Sequence, residues 1–298
     1  MFGLAAGVAL ASAACFATGS AVQHRVVSSA ADDGRSSMAL VAVLARRPAW
    51  LIGLALSAVA FGLHALALGL GELTVVQPVI VSGVVFAVLI RAGLDHRLPP
   101  ARTLIWLCCT WGGLALFLAV RQSGTTAAPQ VGLAAAFVGA GSVLGLLLAV
   151  GARAGSGERL QGLLFGAAAG VLFGLVAGLA KVVVSQLGTE RSRVLLGWPV
   201  WALIVVGACA VLLNQRSYQA TRLSLTAPML NISQVVVALL FGVLVFHESP
   251  GGSGLVLAAE VVGLGVVGLG IWKLASATPA RSAERSAAGP EQRPGSAG

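Results

Sequence analysis

Apolar runs close to 20 residues follow one another along almost the whole chain, separated by short polar or proline- and glycine-bearing breaks. About 20 residues of helix cross the hydrocarbon core of a bilayer. The pattern therefore predicts nine spans: Phe2–Val22, Trp50–Leu70, Leu73–Ile90, Thr103–Val120, Val131–Val150, Leu160–Leu187, Trp198–Asn214, Leu223–Phe246 and Gly254–Trp272. A transmembrane barrel would instead alternate polar and apolar residues over about ten positions, and no such stretches recur. The expected fold is an all-α membrane protein. Met38 to Leu44 is apolar but too short to span, and reads as an interfacial or degenerate helix. Ala9 to Cys15 resembles a signal-peptide cleavage region, but no basic segment precedes the apolar run. The first segment is therefore expected to remain as a span.

The spans are not independent of one another. His64 to Pro100 and Asn214 to Gly251 superpose with one gapped residue, which sets Leu73 on Leu223, Pro78 on Pro228, Val85 on Val235 and Leu89 on Leu239. The same register sets Leu94 on Leu244, His96 on His247, Pro99 on Pro250 and, beyond the block, Gly112 on Gly263. Leu and Val coincide cheaply in apolar helices; a proline at matching depth followed by a matching His and Pro does not. The third span pairs with the eighth and the fourth with the ninth, an offset of five. An odd offset makes the two copies run in opposite directions, the inverted-topology arrangement of secondary transporters, whose site lies at the repeat interface. The expectation is 4+5 spans, with repeat one about 1–121 and repeat two about 130–275. Leu160–Leu187 lacks a full partner, and Met38 to Leu44 is its candidate remnant.

Composition agrees: 57% of residues are hydrophobic, 10% are charged, and the mean hydropathy is +0.93. Soluble domains carry about a quarter charged residues. With nine spans, Arg25, Arg35, Arg46, Arg47, Arg91, Arg97, Arg102, Arg153, Arg159, Arg216, Arg222, Lys273, Arg281, Arg285 and Arg293 fall on one side. Arg121, Lys181, Arg191 and Arg193 are the four basic residues on the other. Basic residues concentrate on the cytoplasmic side, so the C-terminus is expected there, in the inner membrane. The net charge of +9 then reflects topology and anionic lipid headgroups. The basic residues are scattered, which excludes a nucleic-acid-binding patch.

Leu213-Asn214-Gln215, Thr226-Ala227-Pro228 and Phe246-His247-Glu248, followed by a glycine-rich last span, resemble the second half of the drug/metabolite transporter (EamA-like) superfamily. The nine-span count, Trp50-Leu51-Ile52-Gly53, Val76-Gln77-Pro78 and Ala180-Lys181 at the end of a glycine-laddered helix resemble its NIPA-like branch, whose members include magnesium transporters. The resemblance covers nearly the whole chain apart from the C-terminal tail. It implies an inverted-repeat bundle that carries a solute or a cation. Asp95-His96-Arg97 departs from the Asn-Glu-Arg type of sequence that commonly ends the first repeat, so a carboxylate role is not carried over there.

Polar groups inside spans are the candidate transport residues, because burying them in hydrocarbon costs several kcal/mol unless they face protein or water. Glu260 lies a third of the way along the ninth span, and is either a proton or cation carboxylate or a structural hydrogen-bonding group. His64, deep in the second span, is either a coupling group titrating near neutral pH or a neutral imidazole bonded across helices. Its repeat partner is Asn214. Pro78 and Pro228 each remove a backbone donor near the start of paired spans, and broken helices of this kind line cavities. Gln77 precedes the first proline; Asn231 and Gln234 follow the second on one helix face. A central cavity lined by His64, Gln77, Asn231, Gln234 and Glu260 is expected, with Glu260 as the coupling carboxylate. The alternative for both prolines is simple kinking.

Gly162, Gly166, Gly170, Gly174 and Gly178 form a stripe with a period of four, which permits close helix packing within the chain or, alternatively, against a second copy in a homodimer. Lys181, one turn further on, either pairs with an anion or carboxylate or snorkels to the headgroups. Cys15, Cys108, Cys109 and Cys209 lie in spans without metal-ligand spacing. No cofactor-binding sequence, enzyme signature or nucleotide-binding element is recognisable. The tail 276–298 has the composition of a disordered segment. Three functions remain: a secondary transporter of small solutes, a magnesium-type cation pathway, and a non-transporting membrane scaffold. Magnesium prefers oxygen ligands, and the membrane region offers essentially Glu72, Glu248 and Glu260. The topology is directly testable. A reporter fused after Gly298 is expected to be active only when cytoplasmic, and activity confined to the outside would overturn the span count.

Overall fold

The computed structural model describes residues 2–30, 46–94, 96, 98–121, 127–154, 157–189, 194–220, 223–248 and 253–277. Met38 to Leu44 and the tail beyond Ala277 lie outside these. The described residues form helices α1 (Phe2–Ala30), α2 (Pro48–Leu70), α3 (Leu73–Val81), α4 (Gly83–Leu94), α5 (Ala101–Val120), α6 (Val131–Arg153), α7 (Glu158–Thr189), α8 (Trp198–Ala220), α9 (Leu223–Val245) and α10 (Gly254–Ala277), with a short 3₁₀ turn at Val194–Leu196 before α8. Helices α3 and α4 together make one span, Leu73–Leu94. Among the described residues eight spans are long and apolar enough to cross a membrane, and Trp198–Asn214, the apolar part of α8, is a shorter ninth. The protein is an all-α, multi-span membrane protein.

Several helices outrun the apolar segments that announce them. Helix α1 continues to Ala30, α8 to Ala220 and α10 to Ala277. Hydropathy marks where the chain leaves the apolar layer, and a hydrogen-bonded ladder can continue past that point. The prolines also act differently from expectation. Helix α9 runs unbroken through Pro228, and the interruption in the third span falls at Ser82, one turn after Pro78. Both prolines sit in the second turn of their helices, where a missing donor costs a single ladder bond. At Ser82 the side-chain Oγ donates to Val79 O at 2.6 Å, and such local bonds compete with the helical ladder.

Helix α7 is the centre of the bundle: 78% of its most apolar window is buried, against 56% or less for every other span. It packs against α6, α8 and α9. Apolar lipid leaves no hydrophobic drive between helices, so association rests on close packing. The glycine stripe provides it. A Cβ placed on Gly166 would lie 3.0 Å from Thr226 O, and one on Gly174 would lie 2.8 Å from Gln234 O; one on Gly170 would meet Leu230 O, and one on Gly178 the ring of Phe241. Gly162 offers its carbonyl to Ser217 Oγ of α8 at 3.3 Å. The stripe is therefore covered by helices of the same chain.

Two further crossings are made by glycine pairs, Gly19 with Gly53 between α1 and α2, and Gly113 with Gly263 between α5 and α10. Helices α5 and α10 run antiparallel, as the ladder of contacts from Thr110–Gly270 through Gly113–Gly263 to Arg121–Glu260 shows. Helices α3 and α9 do too, since the first residues of α3 bond to Glu248 just past the end of α9. At the C-terminal ends of α4 and α9, His96 and His247 have φ of 49° and 50°, the positive-φ non-glycine residues among those described. They are the same two histidines that the internal superposition sets on one another.

Gly174→Leu is expected to destabilise the protein by about 1–3 kcal/mol or more, as overpacking does, seen as lower thermal stability in detergent. Gly265→Leu, where an added Cβ meets nothing within 4 Å, should leave stability near wild type. Equal behaviour of the two variants would show that the stripe carries no packing load.

Candidate functional site

Six polar side chains meet at the end of the bundle where α3 and α10 begin and α5 and α9 finish. They are Glu72, Thr74, Arg121, Lys181, Glu248 and Glu260, and none is more than 9% exposed. Burying a charge is costly unless it is paired and hydrogen-bonded, and two linked arrangements meet that requirement.

The first is built on Glu248. The left-handed turn at His247 brings the chain back so that Glu248 N donates to Gly242 O at 3.1 Å. The Glu248 carboxylate then accepts from the first two amides of α3, Leu73 N at 2.8 Å and Thr74 N at 2.9 Å. Such amides have no partner within their own helix, and the helix dipole favours a negative charge beside them. Lys181 of α7 completes the arrangement with an ion pair to the same carboxylate. Its ammonium also donates to Gly71 O at 2.9 Å and lies 4.9 Å from the centre of the Phe246 ring.

The second arrangement is built on Arg121, the residue that closes α5. Its Nη2 is ion-paired with Glu72 and donates to Thr74 Oγ1 at 3.0 Å. Its Nη1 donates to Glu260 Oε2 at 3.1 Å. One guanidinium therefore ties the α2–α3 connection to α10. Arg121 Nε and Glu260 Oε1 are buried without a hydrogen-bond partner among the described residues.

Directly beneath lies a cavity of about 570 Å³, within the range of small-molecule sites. It is lined from α1, α2, α3, α4, α7, α8 and α9, so both halves of the sequence contribute. Ala180 is the last cavity residue on α7, and its neighbour Lys181 belongs to the ionic layer. The polar lining consists of Ser12, Ser20, His64, Gln77, Asn214, Asn231 and Gln234, with Phe16, Phe61 and Phe173 among the apolar walls. Among the described residues no charged side chain lines it. Gln234 Nε2 donates to Gln77 Oε1 at 3.4 Å, which leaves Gln77 Nε2 without a partner, and Asn214 Oδ1 is also unpartnered.

Four expected cavity residues, His64, Gln77, Asn231 and Gln234, are thus brought together. Asn214, the repeat partner of His64, joins them. Pro78 and Pro228 are buried and shape α3 and α9 without lining the cavity. One expectation requires correction: Glu260 does not line the cavity, because Arg121 holds it in the ionic layer. Of the two alternatives for Lys181, pairing with a carboxylate is the one found, through Glu248, with Gly71 O as a further acceptor. Sequence reasoning placed Arg121 among loop charges and did not see it as a bridge. The available signal was its position immediately after an apolar span, opposite carboxylates at the matching ends of other spans. Among the described residues no three His, Cys, Asp or Glu side chains converge to hold a metal ion.

No family profile matches the chain, and no solved structure does. It is 29% identical over 251 residues to an uncharacterized protein of Corynebacterium glutamicum, a match covering 82% of this chain and 85% of that one.

Breaking a buried ion pair from one side costs about 3–5 kcal/mol, whereas removing both charges together can be nearly neutral. Lys181→Met is therefore expected to lower thermal stability sharply, and Lys181→Met with Glu248→Gln to recover a substantial part of it. A double variant no more stable than the single one would show that the pair contributes little.

Proposed function

We propose that the protein is a secondary transporter of the drug/metabolite transporter type, moving a small uncharged polar solute across the membrane by alternating access between two inverted repeats. The observation that carries this reading is the cavity: it lies between helices of both halves, the ionic layer covers it at one end, and it is lined by amides, hydroxyls and an imidazole without a formal charge. Gln77 Nε2 offers a free donor and Asn214 Oδ1 a free acceptor. A solute carrying both an acceptor and a donor would satisfy them, with its apolar surface against Phe16, Phe61 and Phe173. The inverted-repeat reading is supported by the antiparallel contacts of α3 with α9 and of α5 with α10, and by the shared left-handed turn at His96 and His247. On the topology expected from the basic residues, the ionic layer closes the non-cytoplasmic end, and the cavity is reached from the cytoplasmic side of the inner membrane.

A magnesium pathway of the NIPA-like kind is the weaker alternative. A hydrated divalent cation calls for oxygen ligands with negative charge, and Glu72, Glu248 and Glu260 are engaged by Arg121 and Lys181. A scaffold role is disfavoured because the glycine stripe is already covered by α8 and α9.

The direct test is uptake into proteoliposomes, screening neutral amides, nucleosides and sugars beside divalent cations. For a transported solute, Gln77→Leu and Asn214→Leu are each expected to weaken half-saturation by about tenfold, the equivalent of one lost hydrogen bond near 1.4 kcal/mol, with thermal stability retained. Unchanged half-saturation in both would remove the cavity as the binding site.

A further inference from the structure

The ionic layer holds one carboxylate less firmly than the others. Glu248 accepts two backbone amides and the Lys181 ammonium. Glu72 accepts from Arg121 and Thr74. Glu260, 4% exposed, accepts one bond through Oε2 from Arg121 Nη1, and its Oε1 is buried with no hydrogen-bond partner among the described residues. Arg121 is shared, so the guanidinium that answers Glu260 also answers Glu72. Among the described residues the layer sets three carboxylates against two cations, Arg121 and Lys181.

From this geometry we infer that Glu260 is a proton-binding site in competition with Arg121. Loading one proton releases the bridge between α5 and α10 and unlocks this end of the bundle. The proton comes from the aqueous phase at that end and binds a Glu260 carboxylate oxygen. No bond other than the new O–H is made, and the Arg121–Glu260 ion pair is exchanged for a neutral carboxyl. Arg121 keeps Glu72 and Thr74 as partners, so its charge is not stranded when Glu260 is neutralised. The consequence follows from where the bridge lies. On α10 it lies about one turn, and on α5 about two turns, from the Gly113–Gly263 crossing, where the added Cβ of either residue would stand within 2.9 Å of the other's carbonyl oxygen, so α5 and α10 can pivot there once the bridge is gone.

The charged and titratable groups that face Glu260 come from each neighbouring element: Arg121 from the end of α5 and Glu72 from the start of α3, with the Glu248–Lys181 pair from α9 and α7 on the far side of Thr74. His247 is turned away and bonded to Gln130 at 2.8 Å. Carboxylates of this kind, held in a charged cluster off the solute path, can couple ion binding to a conformational equilibrium only through differential affinity for the two states. Release of Arg121 is the source of that difference here.

This inference extends the transport reading by naming its coupling ion, and its test needs no solute. Infrared difference spectra of the full chain in lipid, between neutral and acidic pH, are expected to show a buried carboxylic-acid C=O band. The band should disappear in Glu260→Gln and persist in Glu72→Gln. If Glu260→Gln fails to fold, Glu260→Asp should keep the band at a displaced frequency. Amide exchange followed by mass spectrometry, expressed as protection relative to the intrinsic rate at each pH, should show protection falling on acidification in the segment around Phe117–Arg121, and being low at both pH values in Glu260→Gln. A wild-type protein without the band, or a band indifferent to Glu260, overturns the inference even if uptake is observed. A band that behaves as expected in a protein that carries no solute overturns the transport reading and leaves the proton site standing.

Discussion

A carboxylate that must be buried at the end of an apolar bundle needs several donors at once, and Glu248 obtains them from three different places in the chain. It caps α3 with two backbone bonds, takes Lys181 from α7 and is itself placed by the end of α9. The start of the third span, the central helix and the end of the eighth span are consequently fixed to one point. Arg121 performs the complementary task for α5, α10 and the α2–α3 connection. The formal charges found near membrane depth are gathered in this layer, and the cavity beneath it is left with amides, hydroxyls and an imidazole.

The helices below the layer are held by a different device. Three helix pairs, α1 with α2, α5 with α10, and α7 with α9, approach through glycines whose added Cβ would meet a neighbouring backbone carbonyl at 3.0 Å or less. Close backbone approach substitutes for the hydrophobic drive that lipid removes. The charged layer and the glycine contacts therefore divide the work, one fixing the end of the bundle and the other its length.

Much of this was legible in the sequence. Runs of apolar residues located every span, because hydropathy responds to the bilayer directly. The period-four glycines marked a closely packed helix, which the structure places at the centre, and the superposition of the two halves paired His64 with Asn214 at matching depth, where both line the cavity. The ionic layer was not legible as such. Its partners are separated by up to 175 residues, and a single sequence shows which groups are charged without showing which of them meet. Arg121 looked like a loop residue because it follows the apolar run by one position, and Glu260 looked like a cavity residue because depth alone was considered. The break at Ser82 escaped notice because Pro78 offered a more obvious cause nearby.

The order of synthesis gives the separation of those partners a further meaning. Domains form from the N-terminus as the chain emerges, so Glu72, Arg121 and Lys181 are all in place before Glu248 and Glu260 have been made. Until the eighth span is inserted, Lys181 and the open end of α3 must be served by water or headgroups at the membrane surface. The location of the whole layer at one end of the bundle allows this, since long basic side chains can reach the interface from there. Insertion of the last two spans then draws these charges inward together. The final helices thus close the assembly, and a chain halted before Glu248 would hold Arg121 through the Glu72 carboxylate alone and leave Lys181 without its carboxylate.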